Sequence, residues 1–235
     1  MKVSGNKKEA IILGISCFYH DSSAVLLIGD KIIAAVQEER FTRKKFDNSF
    51  PEKAIKYCLK SAHIKQADID CIAFYEEPYV KLDRIIETQA FFAPLKILSN
   101  YKRIRNWIRN KLNVENQINK YLPAFTGTLI FYHHHLSHAA SAFFPSQFKQ
   151  ATILTIDGVG EWACASIARG EGSEIEMISE QRFPHSVGLL YSAFTQYIGF
   201  KVDSGEYKLM GLAPYGNPII LKNYLVVHLG NLICQ

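Results

Sequence analysis

Ile11-Ile12-Leu13-Gly14-Ile15, Ser23-Ala24-Val25-Leu26-Leu27-Ile28 and Lys31-Ile32-Ile33-Ala34-Ala35-Val36 are three short aliphatic runs in close succession, and each reads as a strand. Gly29-Asp30 between the last two is a hairpin signal, and Glu38-Glu39-Arg40-Phe41 closes the unit. The same plan returns about 140 residues later. There, Thr152-Ile153-Leu154-Thr155-Ile156 is followed by a Gly-rich turn, by Ala163-Cys164-Ala165-Ser166-Ile167-Ala168, by the turn Gly170-Glu171-Gly172, and by Glu174-Ile175-Glu176-Met177-Ile178, closing on Glu180-Gln181-Arg182-Phe183. Two three-strand meanders with similar endings predict an internal duplication.

Helical spacing surrounds the meanders. Pro51 to Ala62 places Ala54, Ile55, Cys58 and Leu59 on one face, with Asn48 or Ser49 as the cap. Ile69 to Tyr75 reads as a further strand, Glu76 to Leu122 as inserted helices, and Thr128 to Tyr132 as a return to the main sheet. His138 to Phe144 is a small-residue helix stopped by Pro145, and Gly188 to Ile198 a second helix. Asp203 to Gly216 reads as a loop, its glycines marking turns. A meander plus helix, repeated, is how two halves of a nucleotide-handling protein are built around one cleft, so the fold class is α/β with mixed sheets.

Composition narrows the function. The chain has 235 residues, 48% of them hydrophobic, enough for one large or two small cores. A net charge of +5 suits anionic small molecules and is too weak to argue for nucleic acid. The basic stretch Lys96 to Lys120 is read as amphipathic helices with a solvated face. Five cysteines without CxxC pairing give neither a disulfide framework nor a zinc ribbon, and a reducing cytosol is the expected compartment. No leader pattern and no run of about 20 apolar residues is present, so a soluble protein without membrane contact is expected.

The chemistry concentrates between Tyr132 and Gly160. His134 and His138 are four residues apart and share a helical face, and Asp157 closes the next strand. Two neutral nitrogens and a carboxylate with open positions suit iron(II), and zinc or manganese less specifically. On residues alone, the same cluster serves as well as a helix start packed beneath a sheet. His133 and His135 point elsewhere on the helix. Gly158 and Gly160 would let backbone approach a phosphate, or simply make a turn. His20 and Asp21 in the equivalent turn of the first meander are candidates for a general base and its partner, or a polar turn whose Asp bonds its own backbone. Lys208 is a candidate phosphate contact, or a solvated lysine. Glu39 and Arg40 read as a surface ion pair.

Taken together, Tyr19-His20-Asp21-Ser22-Ser23-Ala24, Glu38-Glu39-Arg40-Phe41, His134-His135-Leu136-Ser137-His138-Ala139-Ala140-Ser141, Leu154 to Trp162, Phe183-Pro184-His185-Ser186 and Ser204 to Gly216 resemble the O-carbamoyltransferase family that decorates nodulation factors and antibiotics such as cephamycin and nebramycin. The resemblance, from about Ile11 to Pro218, implies an actin-like ATPase (ribonuclease-H-like) fold. It implies a first subdomain at 1–150 with a helical insert at about 79–122, the start of a second at 151–218, and a divergent tail at 219–235.

The resemblance also implies that His134, His138 and Asp157 are metal ligands, joined by another Asp from a region beyond this chain. ATP and carbamoyl phosphate would give a carbamoyl-adenylate, whose carbamoyl group passes to a hydroxyl of a small-molecule acceptor, with His20 and Asp21 as candidates for deprotonating that hydroxyl and Lys208 for contacting the phosphate or carbamoyl group. The adenylating domain would come after the actin-like one, so the expectation is a truncated, cytoplasmic chain that is inactive alone. Two other readings stand beside this one: a metal- or nucleotide-binding module of a split complex, and an actin-like kinase or ATPase, which the His cluster does not fit.

Overall fold

The computed structural model describes residues 9–91 and 112–217. The tail at 219–235 and most of the basic insert lie outside the described residues. The chain divides into two compact units, Met1–Ser137 and His138–Gln235.

In the first unit, β1 (Ile11–Ser16), β2 (Ser23–Ile28) and β3 (Lys31–Gln37) form the expected antiparallel meander. Gly29, at φ 61°, makes the tight turn between β2 and β3 with a conformation glycine adopts without a Cβ clash. β4 (Cys71–Phe74) then joins β1 in parallel, and β5 (Thr128–Phe131) joins β4 in parallel. The order β3-β2-β1-β4-β5 is a mixed sheet, as the α/β, actin-like expectation requires.

Alternation decides which face is covered. Ile11, Leu13 and Ile15 of β1 and Ala24 and Leu26 of β2 point inward, against Ala54, Ile55, Cys58 and Leu59 of α2 (Glu52–Ser61). Val114 and Ile118 of a later helix (Val114–Tyr121) complete this core. Burying each large aliphatic side chain contributes roughly 1.5–3 kcal/mol. Burial pushes the Cys58 thiol up to about 11, so it stays protonated in the core.

Two local expectations change. The first turn of α2 is satisfied by Glu38 rather than by Asn48 or Ser49. The buried Glu38 carboxylate accepts from Lys53 N at 3.2 Å and Ala54 N at 2.8 Å, while Ser49 is held by Asp47 Oδ1. Glu39-Arg40-Phe41 forms a short helix, α1 (Glu39–Thr42), which carries Glu38 under α2 instead of ending the strand.

The second unit repeats the meander: β6 (Gln150–Ile156), β7 (Ala163–Glu171) and β8 (Glu174–Arg182), antiparallel in the order β6-β7-β8. The helix His134–Phe143 brings Ala139 and Phe143 onto Ile153 and Ala168. Phe143 lies flat on Gly170, where any Cβ would meet the ring at 2.7 Å.

The stretch read as a loop after Asp203 contains a helix, Glu206–Leu212, followed by a single 3-10 turn at Ala213–Tyr215. Its start is organised by Glu206, whose carboxylate accepts from Asp203 N, Gly205 N and Ser192 Oγ, each at 3.1 Å. The glycines that suggested a loop hid this cap. No helix among the described residues is long and apolar enough to cross a membrane.

Numbered in chain order, the described helices after α2 are α3 (Pro78–Phe91), α4 (Val114–Tyr121), α5 (His134–Phe143), α6 (Val187–Tyr197) and α7 (Glu206–Leu212).

Candidate metal centre

Strand β5 delivers the histidines. Tyr132 N donates to Phe74 O at 3.0 Å, extending the β4–β5 pairing by one residue before the chain turns into α5. Ser137 Oγ then anchors the first turns of α5 by donating to Tyr75 O at 3.0 Å. His134 lies edge-on to the Tyr75 ring, with centroids 5.6 Å apart, and His135 is buried beside it. Burial, and then the neighbouring Glu76 charge, push the Tyr75 phenol far above its usual range, so it remains a donor, to Cys17 O at 3.3 Å.

Strand β6 delivers the carboxylate. Asp157 N donates to Cys164 O at 2.8 Å, and Asp157 Oδ1 accepts from Gly158 N at 2.6 Å. The other oxygen, Oδ2, lies 3.8 Å from His138 Nε2. His134 and His138 stand one turn apart on the same continuous helix. The ligating atoms of His134, His138 and Asp157 all fall within 4.8 Å of one another.

These positions fit one first-row divalent ion. Metal–ligand lengths of about 2.0–2.2 Å put two donors on one ion no more than about 4.4 Å apart. The His138–Asp157 separation of 3.8 Å lies within that limit, and the widest pair, at no more than 4.8 Å, exceeds it by at most about 0.4 Å. Two imidazoles and a carboxylate match iron(II), zinc or manganese in softness.

Supports for Asp157 that sequence reading missed come from the start of α6. Ser186 Oγ accepts from Leu189 N at 3.0 Å as the helix cap and donates to Gly158 O at 2.6 Å. Gly188 packs directly on the Asp157 turn, where an added Cβ would sit 2.3 Å from the Asp157 carbonyl oxygen. A hydroxyl cap two residues before a glycine was the available signal.

The glycines expected to receive phosphate are otherwise engaged. Gly158 N bonds Asp157 Oδ1, and Gly160 N donates to Ala163 O at 2.9 Å. Neither adopts a positive φ. Lys208 sits on exposed α7, not in a loop, with its Nζ 5.9 Å over the Tyr207 ring.

In the first unit, the turn between β1 and β2 holds His20 and Asp21 as a pair, with Nδ1 2.8 Å from Oδ2. An ionised carboxylate there favours the tautomer with a proton on Nδ1, which leaves the Nε2 lone pair to accept a proton. Within this turn Phe18 at φ 71° and Asp21 at φ 48° adopt left-handed backbone, a conformation costing on the order of 1–3 kcal/mol at a non-glycine residue. The surface ion pair expected at Glu39 and Arg40 is present at 3.9 Å.

The family model described as the carbamoyltransferase N-terminus matches residues 11–232. An uncharacterized protein of Synechocystis is 52% identical over 225 residues, covering 91% of this chain and 37% of that protein. The nodulation protein NolNO of Sinorhizobium fredii is 40% identical over 207 residues, covering 86% of this chain and 28% of that protein. The chain thus spans roughly a third of the length of the curated relatives it matches. Among solved structures, YeaZ from Pseudomonas aeruginosa aligns with a TM-score of 0.40 and 12% identity, over 73% of this chain and 65% of that one.

Proposed function

The chain belongs to the carbamoyltransferase family, and from that premise we propose that it is the metal-binding amino-terminal part of an ATP-dependent O-carbamoyltransferase. The observation that carries this reading is the convergence of His134, His138 and Asp157 inside the matched region. The donor is a carbamoyl-adenylate made from carbamoyl phosphate and ATP, and the acceptor is a hydroxyl of a small molecule. Formation of the donor is assigned to the part of the relatives' length that this chain does not match, so the chain by itself is proposed to be inactive.

His134, His138 and Asp157 would hold a divalent metal, iron(II) before zinc or manganese, and the bound ion would supply Lewis acidity toward an oxygen of the donor. His20 takes the proton of the acceptor hydroxyl at Nε2 as that oxygen attacks the carbamoyl carbon, and AMP leaves as the carbon–oxygen bond to its phosphate breaks. Asp21 holds the imidazole in the tautomer that can do this and stabilises the imidazolium that forms. Ser186 and Gly188 keep the Asp157 turn in place. Gly158 and Gly160 present a surface without side chains to the donor, and Lys208 offers a mobile positive charge to its phosphate.

The test is transfer. The chain, assayed with ATP, carbamoyl phosphate and a panel of alcohols, is expected to give a carbamoylated acceptor only when the part of the relatives that it does not match is supplied. His138→Ala is expected to abolish transfer and metal content together. Unchanged transfer by that variant would remove the metal from the mechanism.

A further inference from the structure

Buried charge in the first unit lies where neither metal nor acceptor chemistry has used it. Glu76 is 1% exposed and Lys81 9%, and Lys81 Nζ hydrogen-bonds Glu76 Oε2. A buried ion pair is weak evidence for stability, because desolvating both groups offsets much of their attraction. Such a pair is better explained by geometry, and its surroundings supply one.

Glu76 lies two residues past the end of β4. β4 runs parallel to β1 with Ile15 opposite Phe74, which sets Tyr75 and Glu76 beside the turn that leaves β1. Both residues engage that turn. The Tyr75 hydroxyl donates to the Cys17 carbonyl, and Glu76 fixes Lys81, whose Nζ lies 5.5 Å from the centroid of the Tyr19 ring. That is within reach of a cation–π contact, which strengthens when the cation is shielded from water.

Tyr19 in turn packs on His20, ring centroids 4.6 Å apart and tilted by 48°. The backbone of the turn is pinned elsewhere: Phe18 N donates to Asn48 O at 3.0 Å, and Ser22 N to Asp47 O at 2.7 Å. Those bonds hold the two ends of the turn. At its tip, His20 is held by Asp21 through Nδ1 and by the Tyr19 ring, and Tyr19 is 53% exposed. A half-exposed ring keeps one orientation only if something holds its inner face.

We propose that the Glu76–Lys81 pair positions His20: Glu76 orients the Lys81 ammonium, the ammonium holds the Tyr19 ring, and the ring fixes the imidazole that receives the acceptor proton. Both are positioning residues, since neither touches the reacting atoms. The inference rests on the proposed base role of His20 for its catalytic consequence, but its structural content does not.

The experiment reads the two separately. The carbon-bound ring protons of His20 are recorded by NMR in the wild-type protein, in Tyr19→Leu, in Lys81→Met and in the double variant Glu76→Gln/Lys81→Met, which removes both charges and avoids stranding one. Tyr19→Leu sets the full ring-current shift that Tyr19 imposes on His20. Lys81→Met and the double variant are expected to lose more than half of that shift with the amide spectrum of β1 and β2 unchanged, and Lys81→Arg to restore it.

In transfer assays of the complete enzyme, the double variant is expected to lower kcat by about tenfold, with acceptor KM changing less than about twofold. A folded double variant whose His20 protons stay at their wild-type positions overturns the proposal, whatever its kinetics. Should the ring-current shift collapse while His20→Ala still transfers at the wild-type rate, the positioning stands and the base role of His20 falls.

Discussion

The two meanders share one plan and meet different fates. In the first, β1 gains a parallel neighbour, β4, and every second residue of β1 and β2 sinks into a core shared with α2 and α4. In the second, among the described residues, β6 pairs only with β7, and Leu154 and Ile156 on its outer face are 64% and 57% exposed. Four apolar residues in each of β1 and β6 therefore do not give equal burial. A strand is buried by the elements that pack beside it, and the first unit shows how much a parallel pair of strands adds.

Their turns differ in the same instructive way. Each meander leaves its first strand through a turn of six residues, Cys17 to Ser22 and Asp157 to Trp162. The first places Phe18 and Asp21 in left-handed backbone, while the second has glycines that need no such conformation. Strain is stored where a His–Asp pair is presented, and room is left where a carboxylate faces His138.

The largest effect expected in breaking this comparison is at the strained turn. His20→Ala should lower carbamoyl transfer by about 10²–10⁴-fold, the range of general-base contributions, while metal content stays at the wild-type level. Retention of the rate would make the first turn structural only.

Next in size is the contrast within the second turn. Gly188→Ala drives a Cβ against the Asp157 carbonyl and should cost about 1–3 kcal/mol in chemical denaturation, with weakened metal binding. Gly158→Ala meets only Leu189 Cδ2, at 3.7 Å, and should leave stability within about 0.5 kcal/mol. Equal penalties would mean that α6 does not hold the turn.

Glu38→Gln tests the cap in the first unit. Weakening a buried carboxylate that serves two amides should cost on the order of 1–2 kcal/mol and speed hydrogen exchange at Lys53 and Ala54 before the rest of α2. A uniform change across the unit would speak against a local cap.

The smallest effect is a pH dependence in the second unit. Burial raises the Glu206 pKa, but hydrogen bonds from its own amide, Asp203, Ser192 and Gly205 outweigh it and hold the carboxyl below its ordinary value of 4.5. A depressed folded pKa gives stability that is complete above the unfolded pKa and lost as pH falls through the folded one. Amide exchange in α7 should therefore accelerate as pH is lowered below about 4.5, after correction for intrinsic exchange, and Glu206→Gln should remove that dependence.

Much of this was legible in the sequence because it rests on short-range pattern. Short aliphatic runs separated by turn residues revealed both meanders, and four-residue spacing revealed the face shared by His134 and His138. The features that stayed hidden depend on distance or on charge in unexpected places. Glu38 reaches the amide of Ala54 from sixteen residues away. The glycine-rich stretch after Asp203 concealed α7, because its cap is a side chain folded back on the residues before it. Glu76 and Lys81 look like solvated charges until β4 carries them beside the first turn.

The central claim is that α5 and the end of β6 together hold one metal ion. Anaerobic equilibrium dialysis against iron(II), zinc and manganese, with elemental analysis of the retained metal, tests it directly on the wild-type protein, His134→Ala and Asp157→Asn. The account predicts about one ion per wild-type chain, iron among the metals retained, and a loss in both variants exceeding the roughly 10–100-fold weakening that removal of a merely supporting partner gives. Undiminished binding in both variants, or none in the wild type, would contradict it.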